Sequence, residues 1–267
     1  MTKKELIDFR LKSDYLYVRD KGYKVFGVFL QGSQNYQLDY EGSDIDTKAI
    51  ILPTLEDIVL NRQPVSTTLI LEDNSHIDLK DIRLMWQCFK KQNINFLEIL
   101  FTEYYYVPFD YRRHWAFMRD IAEDIAHYNN YAAVNCIAGM VFEKEAALCH
   151  PYPTLKEKID KYGYDNKQLH HILRCEEFLK RYINGVSYRE CLIPTNPQHL
   201  IDVKSKYIYS LEEAKEIAKN TVAIVKSVKQ NYMDNNPVIV NHDVEKHMEN
   251  ILVDIIKQSF KEDIDNA

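Results

Sequence analysis

Glycine and proline are scarce, 7 and 8 residues out of 267, which excludes a collagen-like chain and a Gly/Pro-rich disordered one. No apolar run approaches the roughly 20 residues that a membrane-spanning helix needs. The five cysteines (Cys88, Cys136, Cys149, Cys175, Cys191) are odd in number and contain no C-x-x-C pair. That pattern argues against a zinc cluster or a disulfide framework and for free thiols in a reducing cytosol. A basic excess is missing as well: the formal net charge of -6 speaks against a protein that coats nucleic acid non-specifically, while leaving room for RNA in a locally basic cleft. The stretch MTKKELIDFRLKSDY carries charges where a signal peptide needs an apolar core, so a cytoplasmic location is expected. Internal repeats, low-complexity tracts and flexible linkers are absent.

What is present is the composition of a folded, helix-rich chain, 46% hydrophobic and 28% charged, long enough for one large or two modest domains. Spacing at Leu6, Phe9 and Leu16 predicts an opening helix. The apolar run Tyr23–Leu30 reads as a buried strand ending in the turn Gln31-Gly32-Ser33-Gln34-Asn35-Tyr36. A second strand fits Asp44–Leu52. Thr67–Leu71 and Ser75–Leu79, around Glu72-Asp73-Asn74, read as a hairpin. Beyond Lys80 the apolar period lengthens to about 3.6, with Leu79, Ile82, Trp86 and Phe89 on one stripe. After Pro108 strand signals fade, and helices are predicted over 113–127, 130–148, 166–184, 211–232 and 243–260. Ser210 and Glu213 form a capping box at the fourth of these. The fold expected is α+β: a mixed-sheet domain over 1–108 and an all-helical domain over 109–267.

The chemistry concentrates in Gly32-Ser33, then Asp44-Ile45-Asp46, then Asp78. On a strand, residues two apart share a face, which sets Asp44 and Asp46 side by side with Cα atoms ~6.6 Å apart. Two carboxylates that close repel unless a proton or cation intervenes. Magnesium suits them, because it takes hard oxygen ligands and pairs carboxylates with substrate phosphates. Asp78, an acid between apolar neighbours, is placed to complete a two-ion cluster from an adjacent strand. The Gly32–Ser33 turn offers backbone N–H groups and a hydroxyl to a phosphate. Each feature also has a plain structural reading: Asp44 and Asp46 as turn acids after Glu41-Gly42-Ser43, Asp78 as a helix N-cap, Gly32-Ser33 as an ordinary turn.

In this order, Gly-Ser, Asp-x-Asp and a later strand-borne Asp resemble the DNA polymerase beta nucleotidyltransferase superfamily. The chain further resembles a branch of predicted nucleotidyltransferases from bacteria and phages assigned to RNA repair. That likeness rests on LQGSQNYQLDYEGSDID, on Lys91–Phe101 and on Lys161–Arg174, stretches spread between residues 30 and 174 of the chain. The resemblance implies that Asp44, Asp46 and Asp78 bind Mg2+ (or Mn2+) as the catalytic set, while Gly32, Ser33 and the adjoining Ser43 contact the nucleotide. It implies transfer of a nucleoside monophosphate from an NTP such as ATP to an acceptor hydroxyl at an RNA end, tRNA included, with release of pyrophosphate. The chain departs from the family pattern at Tyr36-Gln37-Leu38, where Tyr-Gly-Leu is expected, and at Gln92-Asn93-Ile94, in place of Gly-Asn-Pro.

Lys167, His171 and Arg174 fall at i, i+4 and i+7, on one helix face, and can bind nucleotide or acceptor phosphates, Arg through a bidentate fork. A solvated face paired with Glu176 or Glu177 is the alternative. His170 points elsewhere and reads as structural. Tyr104-Tyr105-Tyr106 suit either base stacking or strand packing. Two other functions stay open: an AMP-transferring, antitoxin-like enzyme acting on a protein hydroxyl, and a non-catalytic NTP-binding sensor.

Overall fold

The computed structural model describes residues 2–72 and 75–265. The chain opens with α1 (Lys3–Asp20), β1 (Lys24–Gln31), a 3-10 turn at Ser33–Tyr36, β2 (Asp46–Leu52), α2 (Leu55–Val59), β3 (Ser66–Ile70) and β4 (His76–Asp81). There follow α3 (Ile82–Lys90), α4 (Ile94–Leu97), β5 (Tyr105–Tyr106), α5 (Arg112–Asp120), α6 (Ala122–Ala126) and α7 (Asn130–Ala147). The remainder is α8 (Lys156–Tyr162), α9 (Asn166–Ile183), α10 (Tyr188–Leu192), α11 (Pro197–Lys206), α12 (Leu211–Asn235) and α13 (His242–Asp265). The fold is α+β, with a five-stranded mixed sheet in the order β3-β4-β2-β1-β5. β2 and β4 pair in parallel; the other neighbours are antiparallel. The predicted hairpin is the β3–β4 pair, while Asp73 and Asn74 lie outside the described residues.

The opening helix forms as predicted but buries a different stripe. Leu6 and Phe9 are 45% and 66% exposed, whereas Ile7, Leu11, Asp14 and Val18 are buried. The true stripe contains a charged residue, which hides it from a count of apolar positions. Asp14 is buried because its carboxylate is satisfied: Arg10 Nε donates at 2.7 Å and the Thr47 hydroxyl at 2.6 Å. On that side of the sheet Val28, Leu30, Ala49, Ile51, Ile77 and Leu79 pack with α1 into one core. On α3 the predicted apolar stripe is buried at Ile82, Trp86 and Phe89, joined by Met85, and its N-cap is Asp81, whose carboxylate accepts the Arg83 N–H. Asp78 therefore is not the cap; it lies inside β4.

Contacts divide the chain into two compact units, and not at residue 108. One unit takes residues up to 35, 42–128 and those from 240 onward; the other takes 36–41 and 129–239. The strands stop near residue 108, but the core they build does not. Trp115 of α5 meets Phe29 of β1 with ring centroids 4.4 Å apart, and α13 packs on α5. In the second unit α7, α9, α11 and α12 enclose a separate core that includes Ile137, Val141, Leu169, Ile172, Phe178 and Val203. α11 begins at Pro197 with Asn196 as its cap, a start signal that the sequence carries plainly. The 113–127 segment breaks at Ile121 into α5 and α6.

Both departures from the family pattern fall at left-handed backbone. Gln37 and Gln92 stand at φ 59° and 56°, where glycine costs nothing and a side chain is strained. Gln92 is buried and offsets part of that cost, its Nε2 donating to the carbonyls of Phe89 and Ile125 at 2.8 Å each. Gln37 is exposed.

Candidate functional site

Strand register decides which of the predicted residues meet. β1 and β2 are antiparallel with Gln31 opposite Asp46, so the turn that follows Gln31 stands at the sheet end where β2 begins. Gly32 holds φ +86°, and a Cβ built there would meet nothing within 4 Å; the glycine answers to its dihedral alone. Its N–H lies 3.4 Å from Glu98 Oε1. Asn35 pins the turn, donating to the Leu30 carbonyl at 2.9 Å and accepting the Thr102 hydroxyl at 2.7 Å. Ser33 and Ser43 are half-buried.

The second strand is shorter than predicted and starts at Asp46, leaving Asp44 exposed in the preceding loop, its carbonyl accepting Gln34 Nε2 at 3.1 Å. β2 and β4 pair with Lys48 opposite Asp78. Asp46, Lys48 and Asp78 thus share one face of the sheet, opposite the face that packs on α1. His76 Nδ1 stands 3.9 Å from Asp46 Oδ1.

Lys48 is the residue that sequence reasoning passed over. It is 2% exposed, its Nζ ion-paired with Asp78 and 4.0 Å from the centre of the Phe96 ring. Burial pulls its ammonium below the ordinary lysine value, and Asp78 opposes that shift. The signal was legible: a lysine two residues after Asp46, followed by Ala49-Ile-Ile-Leu52, has to face inward beside the acid. Glu98, buried against the glycine turn, is a second omission, masked by its apolar neighbours Leu97, Ile99 and Leu100.

Among the described residues, no group of three or more His, Cys, Asp or Glu side chains is arranged to hold a metal ion. The donor set fits one divalent cation better than two. Asp44, exposed, and Asp46, half-buried, are two carboxylates at the sheet end beside the glycine turn, suited to an ion that keeps much of its water. Asp78, on the same face, already holds the Lys48 ammonium where a shared second ion would bind.

In the helical unit, Lys167 is exposed, His171 half-buried and Arg174 buried on successive turns of α9. Among the described residues no carboxylate pairs with Arg174; its guanidinium lies 4.1 Å over the Tyr36 ring. Glu176 and Glu177, the partners of the alternative reading, pair instead with Lys180 and Arg181. Burial and the Arg174 charge push His171 well below its usual value, and its Nδ1 has no hydrogen-bond partner. His170 is buried with Nδ1 2.9 Å from the Leu200 carbonyl, a structural contact. Tyr105 and Tyr106 form the short edge strand β5. A cleft of about 710 Å3 between α5 and α13, lined by Arg113, His114, His247 and Asp254 among others, includes none of Asp44, Asp46 and Asp78.

No family model matches the chain, and no curated protein does. Among solved structures it is similar to a nucleotidyltransferase-like protein from Exiguobacterium sibiricum 255-15, at 9% identity and a TM-score of 0.30, over 82% of this chain and 73% of that one. A likeness that slight does not decide function. None of the described helices is long and apolar enough to cross a membrane.

Proposed function

We propose that the chain is a magnesium-dependent nucleotidyltransferase that moves a nucleoside monophosphate from an NTP to an acceptor hydroxyl, the acceptor being an RNA end. The observation that carries this reading is the Gln31–Asp46 register, which puts the glycine turn at the same sheet end as Asp46 and the loop that bears Asp44. The acceptor oxygen bonds to the α-phosphorus while the bond to the β-phosphate oxygen breaks, and pyrophosphate leaves with that electron pair. Ser33 and the turn after Gly32 hold the triphosphate, with Ser43 on the neighbouring loop. Asp78 accepts the proton given up by the attacking hydroxyl. A Mg2+ ion, replaceable by Mn2+, would be held by Asp44 and Asp46 and, when bound, would neutralise the phosphates. In the helical unit, Arg174 supports the phosphate-bearing partner. A buried guanidinium without a carboxylate is costly unless an anion completes it.

The test is incubation of the full chain with labelled ATP, CTP, GTP or UTP and Mg2+, with and without total tRNA. Label is expected on RNA, and Asp46→Asn is expected to lower transfer by roughly 10^2-fold or more while circular dichroism stays unchanged. Label on a protein instead would replace the RNA acceptor with a protein hydroxyl. No transfer with any nucleotide would leave a binding-only sensor and overturn the proposal.

A further inference from the structure

The buried lysine among the aspartates calls for its own account, because a charge with 2% exposure is rarely idle. Lys48 stands opposite Asp78 in one direction and opposite Phe29 in the other, so it occupies the middle of the sheet face between β1 and β4. Its ammonium is enclosed by the Asp78 carboxylate and the Phe96 ring. Asp46 is two residues earlier on the same face. A divalent cation bridging Asp46 and Asp78 would come up against this fixed positive charge, and like charges at such range repel strongly where water is excluded.

We propose that Lys48 takes the electrostatic place of a second divalent cation, so that the site works with a single ion, held at Asp44 and Asp46. This rests on the nucleotidyl-transfer reading of the same residues and goes beyond it in the number of ions and the role of the lysine. Lys48 is a positioning residue: it orients and charge-balances Asp78 and does not touch the reacting atoms. A covalently anchored ammonium cannot be lost to a chelator, so part of the positive charge that a two-ion site draws from solution is built into the chain.

The experiment counts bound Mn2+ by electron paramagnetic resonance on the full chain, titrated in the presence of a non-hydrolysable nucleoside triphosphate for each of the four bases. The wild-type chain is expected to bind one Mn2+ per bound nucleotide, and transfer is expected to rise with Mg2+ concentration with a Hill coefficient near one. Lys48→Met, similar in length and uncharged, is expected to bind two, with the Hill coefficient moving toward two; Lys48→Arg should stay at one. Two Mn2+ ions in the wild-type chain would overturn the inference, whether or not the methionine variant folds. If that chain still transfers nucleotide, the parent reading survives and only the role of Lys48 falls. A wild-type chain that binds neither nucleotide nor Mn2+ sinks both.

Discussion

His170 gives a stability prediction whose size does not depend on the function. Its pKa is pushed down from 6.5 to about 3, chiefly by burial, with Arg174, Lys204 and Lys167 adding repulsion against the hydrogen bond to Leu200. Above pH 6.5 both folded and unfolded chains carry it neutral and it exerts no pH dependence. As pH falls below 6.5 the unfolded chain takes up the proton and the folded one does not, so stability declines until the pH nears 3, where the folded form protonates too. At pH 5, with values of 6.5 unfolded and about 3 folded, the ratio of proton-binding terms is about 32, or about 2 kcal/mol lost. A folded value one unit higher would change that figure little, because the unfolded chain sets it. His170→Asn removes the titration while keeping an amide N–H near the position of Nδ1. Urea unfolding followed by circular dichroism, at pH 7.5 and pH 5, should show the wild type losing about 2 kcal/mol more than this variant. Equal losses in the two proteins would refute the argument, as would an NMR titration that places His170 near 6.

Two more outcomes are expected from the geometry. Gln37→Gly relieves a left-handed backbone at an exposed side chain. The gain of ~1–2 kcal/mol in strain, less ~0.5–1 in unfolded-state entropy, leaves the variant about 0.5–1 kcal/mol more stable by thermal melting. Arg174→Met removes a buried cation that no carboxylate among the described residues pairs with, so stability should hold or rise slightly while tripolyphosphate binding, followed by calorimetry, weakens tenfold or more. A destabilised variant with unchanged binding would show that the guanidinium serves packing on Tyr36 alone.

The aspartates, the glycine turn and the α9 trio were all visible as spaced residue types, because strand and helix periods turn spacing into shared faces. What stayed hidden depended on partners distant in sequence. The exposure of Leu6 and Phe9 followed from a buried Asp14 whose hydrogen bonds come from Arg10 and from Thr47 on another strand. The unit boundary escaped because α13, about 130 residues later, returns to pack on α5. The inward orientation of Lys48 could be read from its place in the strand, but its ion pair could not, because only the parallel pairing of β2 and β4 put Asp78 beside it.

The sequence by itself determined the α+β class, most of the elements and the residues proposed to bind phosphate and cation, since these are written in local period and side-chain chemistry. Only the tertiary structure decided the register between β1, β2 and β4. That register left Asp44 outside the strand, turned Asp78 to the side of Asp46 and placed an ammonium in contact with Asp78. Strand pairing is a non-local choice, fixed by the fit of whole faces against α1 and α3, and no single segment encodes it.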